Sequence, residues 1–239
     1  MKSTVDEIRK RFDNDVERFS TLETGQSTTI DAPLSMELIV EAAARITPAA
    51  SSLLDVGCGA GNYTLKLLRK LPSLDVTLLD LSKPMLERAV QRISADYSVN
   101  VSTIQGDIRE VEFSNSEFDI IFVAAVLHHL RGEAEWREVF LKFHRILKPG
   151  GSIWISDLIE HSLTEVQSLM WQRYGDYLTK LKDDHYREHV FEYIEKEDSP
   201  RPLLFQIELL HEVGFQNVDI LHKNNCFAAF CALKSYAAA

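Results

Sequence analysis

The stretch LLDVGCGAGNYT, Leu53 to Thr64, decides how this chain folds. An apolar run leads into three glycines at alternate positions, Gly57, Gly59 and Gly61, and the chain then turns polar. This pattern predicts a buried strand, a tight turn and the start of a helix. Glycines at such a junction let a ligand approach the backbone closely, so the stretch predicts a ligand-binding turn.

Strands and helices alternate along the chain on both sides of this turn. Apolar strands are predicted at 52–56, 76–80, 101–107, 118–127 and 152–158. Continuous apolar strands separated by helices predict a parallel sheet covered on both faces. Two more strands, 217–221 and 226–233, flank a short polar turn at 223–225 and predict an antiparallel hairpin. We therefore expect an α/β fold, a Rossmann-like three-layer sandwich with a mostly parallel seven-stranded sheet.

The helical segments divide the chain into regions around this sheet. An amphipathic helix is predicted at 4–20, where apolar residues recur every three or four positions. We expect a single domain, 1–239, with four parts: an N-terminal helical cap at 1–48, a core at 50–158, a helical insertion at 160–200, and a C-terminal helix and hairpin at 203–235.

Composition excludes several classes of function. The chain has three cysteines with no CxxC pair and no zinc-like Cys/His spacing, so we expect no metal site and a reducing, cytoplasmic setting. The net charge of -10 and the scattered basic residues argue against direct nucleic-acid binding. No apolar stretch is long enough to span a bilayer, so no membrane partner is expected.

The glycine spacing favours one class of ligand over another. Dinucleotide sites use G-x-G-x-x-G, but here Asn62 occupies the position of the third glycine. Asp55 stands just before the first glycine, where a carboxylate would repel a pyrophosphate and attract a cationic group. The turn therefore favours a zwitterionic or cationic ligand.

Two more carboxylates follow predicted strands. Asp80 ends the second strand, where an acid can accept hydrogen bonds from ribose hydroxyls. Asp107 follows the third strand, where it could accept from an adenine amino group, with Ile108 against the ring. Each aspartate could instead cap a helix. All three acids fall at the strand ends where open α/β sheets bind ligands.

The ordered motifs resemble those of the class I S-adenosylmethionine-dependent methyltransferases. They are DVGCGAG at 55–61, LLDLS at 78–82, QGDI at 105–108, FDIIFVAAVLHHL at 118–130 and LKPGGSIWISD at 147–157. The resemblance implies S-adenosylmethionine as cofactor and S-adenosylhomocysteine as product. It implies cofactor contacts from Asp55, Gly57, Cys58, Gly59, Gly61, Asp80, Leu81, Asp107, Ile108, Ala124 and Ala125.

The pair His128 and His129 follows the fourth strand, at the end where the methyl group should point. One of them could be a catalytic base, since histidine titrates near neutral pH. Side-chain alternation along the strand favours His128 as the one that faces the cofactor. The pair could instead pack the strand end and cap the next helix.

The acceptor pocket should come from the segments outside the core. Aromatic residues of the insertion could enclose an apolar or cationic small molecule, although they could equally form core or a homodimer face. Arg187 and Arg201 could bind a substrate carboxylate or lie on the surface. The aromatic candidates are Trp171, Tyr174, Tyr177, Tyr186 and Tyr193.

The overall plan also resembles the carboxy-S-adenosylmethionine synthase branch of this superfamily. That resemblance implies S-adenosylmethionine and prephenate as substrates, in tRNA wobble-uridine modification, with Arg187 near the new carboxylate. The Gly-Cys-Gly-Ala-Gly turn and the pair His128-His129 depart from that branch and favour a methyltransferase. A third alternative is a non-catalytic module that only binds S-adenosylmethionine.

Overall fold

The computed structural model of the chain describes residues 2–21 and 25–236, so positions 1 and 22–24 of the predicted cap lie outside it. Seven strands form one sheet. They are β1 Ser52–Val56, β2 Asp75–Asp80, β3 Val101–Gln105, β4 Phe118–Ala124, β5 Leu147–Leu158, β6 Asn217–Asn224 and β7 Phe227–Leu233.

The helices of the described residues lie before, between and after these strands. They are α1 Val5–Asp13, α2 Val16–Phe19, α3 Ala32–Ile46, α4 Asn62–Leu68, α5 Lys83–Asp96, α6 Glu133–Ile146, α7 Thr164–Leu181, α8 Asp184–Glu197 and α9 Leu203–Glu212. A short 3-10 helix, Leu127–His129, follows β4. No helix within the described ranges is long and apolar enough to cross a lipid bilayer.

The strand order is β3-β2-β1-β4-β5-β7-β6. Strands β1 to β5 run parallel, while β7 pairs antiparallel with both β5 and β6. The seven-stranded, mostly parallel sheet and its antiparallel C-terminal hairpin confirm the predicted fold. Because β1 lies between β2 and β4, the carboxyl ends of three predicted ligand-binding strands meet at one edge.

Apolar side chains fill both faces of the sheet. On one face α6 contributes Trp136 and Phe140, which are fully buried against β4 and β5 side chains. On the other face Met36 and Ile39 of α3 pack with side chains of α4 and α5. A third cluster joins the insertion to the sheet, since Tyr174 and Leu178 of α7 pack against Phe227. The insertion is thereby fixed over the carboxyl edge of the sheet.

Several predicted boundaries were wrong. The helix predicted at 4–20 is divided, because Asn14 caps the end of α1 and the chain restarts at α2. Strand β4 ends at Ala124 rather than continuing to 127, since Ala125 adopts the left-handed conformation with φ +57°. Strand β5 begins five residues earlier than predicted, at Leu147, and β3 ends at Gln105. Strand β6 continues through most of the predicted polar turn at 223–225.

Candidate functional site

The turn between β1 and α4 exposes its backbone to a cavity. Gly57 and Gly59 have positive φ angles of +63° and +51°, which side-chain-bearing residues rarely adopt. A Cβ atom at Gly57 would lie 2.3 Å from Val126 Cγ2, whereas one at Gly59 would meet nothing within 4 Å. Gly57 is therefore required for packing, while Gly59 keeps space open on the cavity side.

The cavity has a volume of about 390 Å³ and lies at the carboxyl edge of the sheet. The N-terminal cap and the insertion supply the rest of its wall, including Phe12, Phe19 and Ile194. Most of the predicted site residues border this one space. They are Asp55, Gly57, Cys58, Gly59, Asp80, Leu81, Asp107, Ile108, Ala124, Ala125, His128, His129, Tyr174 and Tyr193.

The remaining predicted residues do not line the cavity. Gly61 lies behind the turn as the residue before α4. Trp171 stacks on Phe191 with ring centroids 4.8 Å apart, and the Tyr177 hydroxyl donates to the backbone oxygen of Ser27 at 2.8 Å. These side chains, together with Tyr186 and Arg187, stabilise the insertion from outside the cavity, and Arg201 lies over Phe205 beyond it.

Neither predicted arginine reaches the cavity. Arg187 pairs with Asp184 of its own helix at 3.2 Å. Arg201 lies over the ring of Phe205 and 3.9 Å from Glu133. The cavity instead receives Arg11, which sequence reasoning missed because α1 carries no motif that distinguishes it.

Asp55 and Asp80 are buried carboxylates beside the glycine turn. Burial raises the pKa of Asp55 to about 7, although Thr64 Oγ1 donates to it at 2.6 Å. Burial also raises the pKa of Asp80 to about 6, despite hydrogen bonds of 2.8 Å from the backbone N–H groups of Gly59 and Ser82. A cationic or hydroxyl-bearing ligand at this edge would stabilise both ionised forms.

Asp107 is held by a neighbouring cation. Its carboxylate accepts from the Arg109 backbone N–H at 2.9 Å and from the Arg109 guanidinium. Burial acts to raise the pKa of Asp107, but these contacts lower it below its usual range. Asp107 therefore stays ionised, and an adenine amino group would share its oxygens with Arg109.

The two predicted histidines belong to a buried cluster with two carboxylates. His128 Nδ1 contacts Asp157, whose other oxygen accepts from the Leu127 backbone N–H at 2.7 Å. On the opposite side, Asp198 Oδ1 lies 3.7 Å from His128 Nε2 and 3.3 Å from His129 Nδ1. Both histidines border the cavity because β4 has already ended, so alternation along the strand does not distinguish them.

The histidines have opposite protonation tendencies. Burial lowers the pKa of His128, but Asp157 and Asp198 outweigh it and raise the value to about 9. Burial and the neighbouring His128 lower the pKa of His129. Of the two, His129 is therefore the one that is neutral near pH 7.

Asp157 and Asp198 were missed from sequence, for different reasons. Asp157 stands near the end of β5, and the strand-end rule that identified Asp80 could have found it. Asp198 follows α8 outside the core, and only folding brings it to the histidines. No sequence signal marks it.

The chain is similar in sequence to known methyltransferases. Residues 53–151 match a sequence family described as "Methyltransferase domain". The chain is 27% identical over 189 residues to a demethylmenaquinone methyltransferase of Lactococcus lactis, an overlap of 77% of this chain and 73% of the relative. It is 25% identical to a carboxy-S-adenosyl-L-methionine synthase of Nautilia profundicola, covering 76% of each protein.

Solved structures share the fold. The N-methyltransferase NodS of Bradyrhizobium japonicum, crystallised with S-adenosyl-L-homocysteine, superposes with a TM-score of 0.62 at 17% sequence identity. The superposition covers 93% of this chain and 98% of NodS. This likeness extends beyond residues 53–151 to the cap and the C-terminal hairpin.

Proposed function

Since the chain is a class I S-adenosylmethionine-dependent methyltransferase, we propose that it methylates a small molecule bound at the His128 end of the cavity. One observation carries this proposal. A single cavity joins the Gly59 and Asp80 edge of the sheet to the histidine cluster and to aromatic side chains of the cap and insertion. The cofactor and the acceptor would thus meet in one cavity.

The residues at the sheet edge fit S-adenosylmethionine. Asp80 offers a buried carboxylate for ribose hydroxyls, and Ile108 offers an apolar surface for the adenine. Gly59 leaves open space where a side chain would obstruct the ligand. When bound, S-adenosylmethionine supplies a methyl group already activated by its positively charged sulfur.

The protein's own contribution is mainly positioning. Alignment of two reactants can contribute up to about 7–11 kcal/mol toward lowering a barrier. Phe12 and Phe19 of the cap and Tyr193 of the insertion line the cavity and offer apolar surface to an acceptor. We propose that His128 and His129 contact the acceptor, because they are a titratable pair that borders the cavity just after the end of β4.

Asp80→Asn tests the cofactor assignment. Replacing the carboxylate with an amide should weaken S-adenosylhomocysteine binding by about 1–3 kcal/mol, or about 5- to 150-fold. Isothermal titration calorimetry on the purified protein measures this change. Asp75→Asn is the matched control, because Asp75 lies on the same strand but is exposed and bonds Asn100. Equal affinity in the wild type and Asp80→Asn would contradict the assignment.

Mass spectrometry of small molecules released from the denatured protein separates the alternatives. Recovery of S-adenosylmethionine or S-adenosylhomocysteine supports methyl transfer. Recovery of a sulfonium heavier by one carboxyl group would support a carboxy-S-adenosylmethionine synthase instead, with an arginine other than Arg187 on the carboxylate. Binding of S-adenosylmethionine without turnover of any acceptor in a panel of hydroxy and amino compounds would support a non-catalytic module.

A further inference from the structure

Three potential metal ligands converge at the acceptor end of the cavity. His128, His129 and Asp198 each offer one ligand atom, and these atoms all lie within 4.8 Å of one another. The side chains of His128 and Asp198 are 11% and 4% exposed, so the cluster is shielded from bulk solvent. All three residues also border the cavity. A small molecule in the cavity could therefore contact an ion bound by these three side chains.

Asp198 has an unsatisfied oxygen in this cluster. Its buried Oδ1 atom makes no hydrogen bond within the described part of the chain, and neither does the buried Nε2 atom of His129. The contacts of Asp198 Oδ1 are 3.3 Å to His129 Nδ1 and 3.7 Å to His128 Nε2, and a buried carboxylate oxygen held only at such distances is poorly satisfied. In that same described part, the only ion-pair contacts of this carboxylate are with the two imidazoles. A bound cation would satisfy it.

Asp157 orients the His128 ring through the nitrogen that faces away from Asp198. It contacts His128 Nδ1, which leaves Nε2 directed to the side of Asp198. The Asp157 carboxylate is itself fixed by the backbone N–H groups of Val126 and Leu127 at 3.1 and 2.7 Å. Metal-binding histidines in proteins commonly have their second ring nitrogen held by a carboxylate in this way.

The nearby arginines are engaged elsewhere. Arg11 bonds both carboxylate oxygens of Glu197, with 2.9 Å from its Nε to each. Arg131 donates to the backbone oxygens of Glu197 and Ser3. A cation at the cluster would therefore not have to displace a guanidinium from Asp198.

We propose that His128, His129 and Asp198 bind a divalent transition-metal ion that keeps an open coordination position toward the cavity. Binding would release to solvent the proton that His128 Nε2 carries in the metal-free protein. Two imidazoles and one carboxylate suit zinc, iron, cobalt or nickel better than magnesium or calcium, which favour all-oxygen sites. Three protein ligands and one open position are typical of catalytic zinc sites. The open position would take an oxygen or nitrogen of the acceptor, a step that rests on the proposed function.

Metal binding can be measured without knowing the acceptor. Untagged full-length protein, freed of metal with a chelator, is titrated with ZnCl₂ by calorimetry, and CoCl₂ provides a visible absorption spectrum of the site. We expect one Zn²⁺ per chain. Asp198→Asn and His129→Asn should weaken binding at least about tenfold, and Asp157→Asn about 10–100-fold, since it only positions His128.

His222→Asn is the matched control. His222 also pairs with a carboxylate, Asp31 at 2.9 Å, but no second histidine joins that pair. Its Zn²⁺ affinity should equal that of the wild type. Wild-type protein that takes up no Zn²⁺, or ligand variants that bind it as tightly as the wild type, would overturn the proposal.

S-adenosylhomocysteine binding separates the two proposals and checks folding. Asp198→Asn is nearly isosteric and lies away from the Asp80 edge, so it should bind S-adenosylhomocysteine as the wild type does. Cofactor binding with no Zn²⁺ uptake would reject only the metal site. Zn²⁺ uptake with no cofactor binding would reject the proposed function and leave the metal site standing.

Discussion

At the scale of single residues, the most consequential group beside the glycine turn is Asp55. Its side chain is almost completely buried, with one hydrogen bond from Thr64. Burial raises its pKa to about 7, far above its usual range. The folded chain therefore holds a proton on Asp55 that the unfolded chain releases near pH 4, and stability must fall as pH rises between these values.

Asp55→Asn removes this titration. At pH 8 the variant should be more stable than the wild type by about 2–4 kcal/mol, because it no longer buries an unpaired charge. At pH 4 the two proteins should be nearly equal, since Asp55 is then neutral in the folded chain and about half protonated in the unfolded chain. Urea unfolding of the cofactor-free protein at both pH values measures the difference. In Asp75→Asn the free energy of unfolding should change with pH as it does in the wild type. The same change with pH in Asp55→Asn would contradict the raised pKa of Asp55.

At the scale of elements, a charged contact with the insertion anchors helix α1 of the N-terminal cap. The Arg11 guanidinium of α1 bonds the carboxylate of Glu197 at the end of α8, and Glu197 is nearly buried. A backbone hydrogen bond of 2.8 Å from Ser3 to Lys196 supports this contact. Helix α1 has one buried side chain, Ile8, so apolar packing contributes little to holding it.

Glu197→Gln should loosen the cap without unfolding the sheet. Loss of a charge-assisted hydrogen bond costs about 2 kcal/mol, which corresponds to about 30-fold faster amide exchange in α1 if the cap opens by itself. Exchange in β1 and β4 should be unchanged. Hydrogen–deuterium exchange by mass spectrometry resolves the two regions.

Asp6→Asn provides the control for this element. It removes an exposed pair with Arg9 on the same helix, which should have almost no effect. If the amides of α1 exchange at the same rate in Glu197→Gln as in the wild type, contacts other than the Arg11–Glu197 pair hold this helix.

At the scale of the whole molecule, strand order places the ligand. The order β3-β2-β1-β4 puts the switch point between β1 and β4, where successive strands stop being added on one side of β1 and start being added on the other, and open α/β sheets bind ligands at such a point. The insertion and the cap then close over this crevice. A ligand bound there contacts the core, the cap and the insertion, and should stabilise them together.

Cofactor binding should therefore raise the melting temperature of the entire protein. At 100 times its dissociation constant, S-adenosylhomocysteine should contribute about 2.7 kcal/mol. For a chain of this size that corresponds to about 5–11 °C. Differential scanning fluorimetry measures the shift, and NAD⁺ is the control, because the glycine spacing and Asp55 oppose a pyrophosphate. A comparable shift with NAD⁺ would contradict the prediction that the glycine turn disfavours a pyrophosphate.

The sequence by itself determined the sheet and the cofactor edge. The glycine spacing and the acids at the carboxyl ends of β1 and β2 can be recognised within one strand, turn and helix, and their local geometry does not depend on distant segments. That is why Asp55, Gly59 and Asp80 all border the cavity. The C-terminal hairpin was likewise predicted from one continuous stretch of sequence, although its turn was placed too early.

Only the tertiary structure decided the composition of the histidine cluster. His128 meets Asp157 from β5 and Asp198 from beyond α8, and no local pattern specifies that three distant segments converge. Within the insertion, Tyr174 faces the cavity while Trp171, one turn earlier, packs on Phe191. When a helix has apolar residues on several sides, its orientation depends on the segments that pack against it. The periodicity of its apolar residues therefore does not predict which of them face the cavity.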